Sequence, residues 1–142
     1  MKELKTFVAY RLIKSEDLNH HGTLFAGRSA EWFIESGFIA ATEKVRPEHL
    51  ICLKIHGMHF TKPGRIGDVI AFSSKVVLAG TTSLTTYTKV FKRDNPEEVM
   101  VEGFTTFIHV NRHTIPAPHG VVVKPQTSED KKLNEEAKSL RK

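Results

Sequence analysis

A single cysteine, Cys52, stands among 142 residues, so no intrachain disulfide framework exists. It lies inside an apolar run, which disfavours the thiolate that a nucleophile or metal ligand needs. No apolar run approaches the roughly 18 residues that span a bilayer. The N-terminal MKELKTFVAYRL alternates like a strand and lacks a signal peptide's apolar core and cleavage site. These absences describe a cytoplasmic protein with no membrane partner. Also missing are a G-x-S-x-G nucleophile elbow, a P-loop and a dinucleotide fingerprint. His20 and His21 are adjacent and point apart, and no acid or cysteine completes a ligand spacing, so no metal is expected. The net charge of +5 permits an anionic ligand. Its Lys and Arg are spread along the chain without interleaved aromatics, so no nucleic-acid partner is expected.

What is present is an ordinary globular composition, 39% hydrophobic and 26% charged, at a length that suits one packed core. Residues 19–42, NHHGTLFAGRSAEWFIESGFIAAT, read as a polar, glycine-bearing loop running into a helix over about residues 24–44. Ala26, Ala30, Phe33, Gly37, Ala40 and Ala41 recur at spacings that place them on one stripe. A stripe of small residues wants close backbone approach, as when a sheet wraps around the helix, and no other substantial core helix is expected. Strands are expected over residues 6–13, 50–60, 69–79, 83–92 and 99–111, with a bulge at Gly57 and a turn at Asp94-Asn95-Pro96. Along residues 83–92, Leu84, Thr86, Thr88 and Val90 share one face; Thr85, Tyr87, Lys89 and Phe91 share the other. The fold class is α+β: one long helix wrapped by an antiparallel sheet of about five strands. Residues 1–120 form the domain. Residues 121–142 are a charged tail, either a surface helix or disordered.

Two groups of residues invite chemistry. At the helix start, Ala26 and Gly27 present backbone N–H groups suited to an oxyanion; the alternative is a tight loop with Thr23 as N-cap. On the helix, Glu31 and Glu35 are one turn apart. Glu35 lies among Phe33, Ile34 and Phe38, where an apolar setting would fit a general base; the alternative is a solvated pair.

Four segments in order, LNHHGTLFAGRSAEWFIESGFIAA (18–41), GMHFTKPGRIGD (57–68), GTTSL (80–84) and FTTFIHVNRHTIPAP (104–118), resemble the hotdog-fold acyl-CoA thioesterases. The resemblance implies hydrolysis of an acyl-CoA to free acid and CoA, with CoA as part of the substrate and no separate cofactor. It implies a homodimer with sheets joined edge to edge, and a tetramer or hexamer beyond that. By position it assigns catalysis to Asn19, Thr23, Gly27 and Glu35. Ala26 is matched with the amides on the thioester carbonyl; Thr82 and Ser83 are candidates for the pocket wall or CoA channel, as are His56 and His59, whose alternative is ordinary polar strand residues. The family's helical acid aligns with Ile34, one residue before Glu35, and its first glycine with Ala26. A non-catalytic acyl-CoA-binding domain and an acyl-thioester dehydratase are the alternatives that the same resemblance leaves.

Overall fold

A computed structural model describes residues 1–141; Lys142, the last residue of the tail, lies outside the described residues. Five strands, β1 (Phe7–Leu12), β2 (Leu50–Phe60), β3 (Val69–Ala79), β4 (Ser83–Lys92) and β5 (Asn95–His109), form one antiparallel sheet in the order β1-β3-β4-β5-β2. The long helix α1 (Ala26–Ala41) crosses one face, and a second helix α2 (Ser128–Ser139) packs on the other. Strand parity explains the division. Phe72 meets Trp32 of α1 edge-on at 6.0 Å, whereas Lys75, three residues on, reaches Asp130 of α2. The alternation expected for β4 holds: Thr86 backs α1 at Gly37, and Tyr87 packs with Phe104 toward α2.

The predicted stripe is half right. Phe33, Gly37, Ala40 and Ala41 are buried, but Ala26 is exposed and Ala30 half-buried, and Ser29, Trp32 and Ser36 complete the buried face. A buried hydroxyl needs partners. Ser36 Oγ lies 2.7 Å from Ser74 Oγ, which lies 2.6 Å from Thr88 Oγ1, so helix and sheet share a hydroxyl relay. Close approach is real at Gly37, where a Cβ would stand 2.7 Å from Thr86 Oγ1.

Three boundaries differ from expectation by more than a residue or two, or bear on the site's position. The helix begins at Ala26 and ends at Ala41, where Thr42 caps it by donating from Oγ1 to the Ile39 carbonyl at 2.8 Å. β5 begins at Asn95, paired with Lys92, so the turn is only two residues, Arg93 and Asp94. Pro96 is tolerated there because β2 joins β5 only from Val101 onward, leaving one strand edge without a partner. The one long helix expected in the core is α1, and a shorter helix, α2, lies in the tail. Of the two alternatives for the tail, the structure has the helix, and it is tied down. Leu133 and Ala137 join Val77, Leu78, Tyr87 and Phe104. Asn134 Nδ2 donates at 2.8 Å to the Val77 carbonyl, at the register shift between Val76 and Leu78 that leaves a ladder acceptor spare. Thr127 Oγ1 caps α2 by accepting from the Asp130 amide. A hydrophobic count of the tail missed this because two apolar residues on one face suffice when a sheet supplies the rest.

Candidate functional site

The start of α1 is built by the loop before it. Asn19 Oδ1 accepts from the amides of His21 (2.9 Å) and Thr23 (3.2 Å), its Nδ2 donates to Thr23 Oγ1 (3.2 Å), and its own N–H donates to the Thr23 carbonyl (2.7 Å). Such a side chain folds the backbone on itself, which is why Asn recurs in tight loops. Thr23 is therefore engaged inside the loop and does not cap the helix. The N-cap is Phe25, with no side-chain cap. Its N–H is taken by the Asp17 carbonyl at 2.8 Å, and its carbonyl accepts from Arg28 and Ser29. The amides of Ala26 and Gly27 have no acceptor among the described residues. A Cβ on Gly27 would stand 2.5 Å from the Phe25 ring, so the missing side chain is what lets that half-exposed ring fold over the turn.

A cleft of about 310 Å³ opens at this point. Asn19, Thr23, Ala26 and Ser29 form one wall, Phe60, Thr61, Lys62, Pro63 and Gly64 the other, and Ile70, Val90, Met100 and Val101 its apolar lining. Gly64 seals it: its carbonyl accepts from Leu24 at 2.8 Å, and a Cβ there would meet Ile13 at 2.6 Å. Two grooves of about 610 Å³ lie at the opposite end of α1 and contain none of the expected catalytic residues.

The structure thus brings together Asn19, Thr23, Ala26 and, beside them, Gly27. It does not bring Glu35 to them. Glu35 is on the β1 side of α1, 56% exposed in its side chain and paired with Arg11 at 2.6 Å. The apolar surroundings expected for Glu35 are corrected: at about 100° per residue Ile34 and Phe33 point away from it, and Glu35 faces Arg11 and solvent while Phe38 leans to Phe107 of β5. Glu31 is exposed too.

His56 and His59 are brought onto one cavity by the register shift between Ile55 and Met58, where Gly57 has φ +127°. That cavity, about 460 Å³, lies on the α2 side with Tyr87, Glu102 and Phe104. Burial, then the Lys54 charge, lowers the His56 pKa, and its Nε2 is 2.7 Å from Thr106 Oγ1. Burial and the bond to Glu102 push the Tyr87 phenol well above its usual range. Thr82 ends the turn before β4 and Ser83 opens the strand, where their carbonyls meet His109 N–H and His119 Nε2.

Two residues escaped sequence reasoning. Asp17, fully buried, accepts from the Lys14 amide and from Arg28 Nη1 at 3.1 Å and so fixes the loop to the helix. Its only signal was an acidic side chain in a stretch that read as connection. Ser29 is 2% exposed, and its Oγ has no hydrogen-bond partner among the described residues.

The uncapped helix start, open to a cleft with an apolar floor, matches what acyl transfer requires, and comparison with known proteins agrees. A family model described as the thioesterase superfamily matches residues 21–99, more than half the chain. This chain belongs to the thioesterase superfamily. Among curated proteins it is similar to an uncharacterized acyl-CoA thioester hydrolase of Bacillus subtilis, 29% identical over 124 residues that cover 85% of this thioesterase chain and 71% of the relative. Among solved structures, an apo-hexameric acyl-CoA thioesterase superposes with a TM-score of 0.84 at 25% identity, covering 96% of this chain and 88% of that one. An acyl-CoA hydrolase from Staphylococcus aureus, in complex with butyryl-CoA, CoA and CoA disulfide, shares the fold at a TM-score of 0.84 and 22% identity, covering 95% and 83%. The hotdog architecture of this superfamily member is thus shown. Among the described residues, no helix is long and apolar enough to cross a membrane.

Proposed function

We propose that this thioesterase hydrolyses an acyl-CoA to the free acid and CoA. The observation that carries the reading is the pair of unpartnered amides at Ala26 and Gly27, facing a cleft that also holds Asn19 and Thr23. The thioester carbonyl accepts from those amides, which bind it more strongly as it becomes an oxyanion; one such donor is worth roughly 3 kcal/mol of barrier. Water held at Asn19 and Thr23 attacks the acyl carbon, the C–S bond breaks, and the proton that the water gives up passes to the departing CoA sulfur. The chemistry as proposed uses no metal or redox cofactor. Lys62 at the cleft supplies positive charge for CoA phosphate. The test is thiol release from acyl-CoAs, acetyl through palmitoyl, detected with DTNB, against the single equivalent contributed by exposed Cys52. Turnover above about 1 per second is expected. Binding of CoA thioesters with no release would leave the binding-module alternative standing.

The proposed assembly is a homodimer through β2, and higher assemblies are built from it. β2 is an 11-residue edge strand with Ile51, Leu53, Ile55 and Phe60 exposed, a surface that natural sheets cover. Antiparallel pairing across a two-fold axis sets the Phe60 end, beside the cleft, against the Leu50 end of the other copy. Thr82 and Ser83 belong to that second end through Ile108, which pairs with both Ser83 and Ile51. Their proposed role on the CoA channel is therefore one played across copies. Sedimentation at micromolar concentration should give a dimer or a multiple of two; a monomer would remove this arrangement. The unpaired Cys52 thiol suits a reducing, cytoplasmic setting.

A further inference from the structure

Among the described residues that line the cleft, Ser29 is the one whose buried side-chain oxygen has no hydrogen-bond partner. It is 2% exposed, and its Oγ is without a partner. The usual outlet for a helical serine is the carbonyl four residues back. Here that carbonyl, of Phe25, already accepts the Arg28 and Ser29 amides and makes no bond with the hydroxyl. Buried hydroxyls are rarely left so, and one that is invites a ligand atom. The lining beside it, Ile70, Val90, Met100 and Val101, is apolar.

Resting on the thioesterase reading, we infer that Ser29 is a specificity residue for the acyl group, and that the preferred substrate is a short acyl-CoA carrying an oxygen, hydroxyl or keto, on its third carbon. Depth fixes the position. Ala26 is exposed at the mouth, and Ser29 lies three residues further along the helix, about 4.5 Å of axial rise. The third acyl carbon stands two bonds of about 1.5 Å beyond the carbonyl carbon. An oxygen on it extends the reach to the Ser29 hydroxyl while the carbonyl is held at the Ala26 and Gly27 amides. A cleft of about 310 Å³ holds a short acyl group beside Ser29. An unbranched butyryl group leaves the hydroxyl unpaired, and a site with a polar group left unpaired discriminates against such a ligand.

The test compares butyryl-CoA with 3-hydroxybutyryl-CoA, in kcat/KM and in Kd by calorimetry, for the wild type and Ser29→Ala. The wild type should favour the hydroxyacyl substrate by about tenfold or more, in line with one net hydrogen bond. Ser29→Ala should bring the two within about twofold of each other while folding with an unchanged or higher Tm, since it removes only an unpaired hydroxyl. No preference in the wild type, or one that survives in Ser29→Ala, overturns the inference. So does an equal loss on both substrates, which would put Ser29 on the carbonyl or the water. If both compounds bind and neither is hydrolysed, the hydrolase reading fails and the Kd ratio still decides the role of Ser29. If neither binds, both readings fall.

Discussion

Asn19→Ala lowers kcat/KM on acyl-CoA substrates by about a hundredfold, the usual effect of moving reacting groups by an ångström or so. Its side chain makes three of the bonds that shape the loop, to His21 N–H, Thr23 N–H and Thr23 Oγ1. Without them the chain between Asp17 and Phe25 loses the geometry that presents Ala26 and Gly27 to the cleft. Asn19→Asp is the informative partner, because it keeps both acceptor bonds and loses only the donor to Thr23. It should recover most of the loop, seen as a Tm near that of the wild type, and part of kcat. Glu35→Gln supplies the contrast. That carboxylate pairs with Arg11 in solvent, outside the cleft, and its loss should change kcat less than about threefold, as befits an exposed ion pair of small energetic weight. A Glu35→Gln enzyme without turnover, beside an active Asn19→Ala, would invert the assignment and bring the helical acid back into the chemistry.

Asp130→Ala should destabilise the fold by about 3 kcal/mol, the scale for removing one partner of a buried pair. Asp130 is fully buried, bonds Lys75 Nζ at 2.6 Å and accepts the Leu4 amide at 2.8 Å, so one carboxylate joins α2, β3 and the N-terminus. Its removal leaves the Lys75 ammonium in the sheet with only the exposed carboxylates of Glu3 and Glu129, at 3.6 and 4.0 Å. For a chain of this size the loss corresponds to a fall in Tm of about 6–12 °C. Acid reveals the same contact. Burial alone would raise the Asp130 pKa, but the Leu4 amide and the Lys75 charge outweigh it and hold the carboxyl below its ordinary value of about 3.9. Its contribution is thus complete above that value and fades as the pH falls through the lower, folded one. Wild-type stability should drop as the pH falls below the ordinary carboxylate range more steeply than that of Asp130→Asn. Parallel acid curves for the two proteins would show that the pair contributes nothing of the kind.

The sequence by itself determined the architecture, because that information is local and periodic. Alternation along β4 separates the α1 side from the α2 side, and the Gly57 and small-residue signals locate the bulge and the close approach at Gly37. It also marked the loop and helix start, since Asn, Gly and Thr before a helical run free of proline have few other uses. Tertiary structure alone decided which side chains meet. Glu35 has apolar neighbours in sequence, yet the 100° turn per residue sends it to Arg11 and the solvent. Residues 121–142 are polar in composition, yet α2 is held because β3 offers a bulged carbonyl to Asn134 and a buried ammonium to Asp130. Ser29 is unremarked in the string of letters; only the tertiary structure leaves its hydroxyl buried and unpaired beside an apolar lining. Burial and partnership are properties of chain segments far apart in sequence, and no local pattern encodes them.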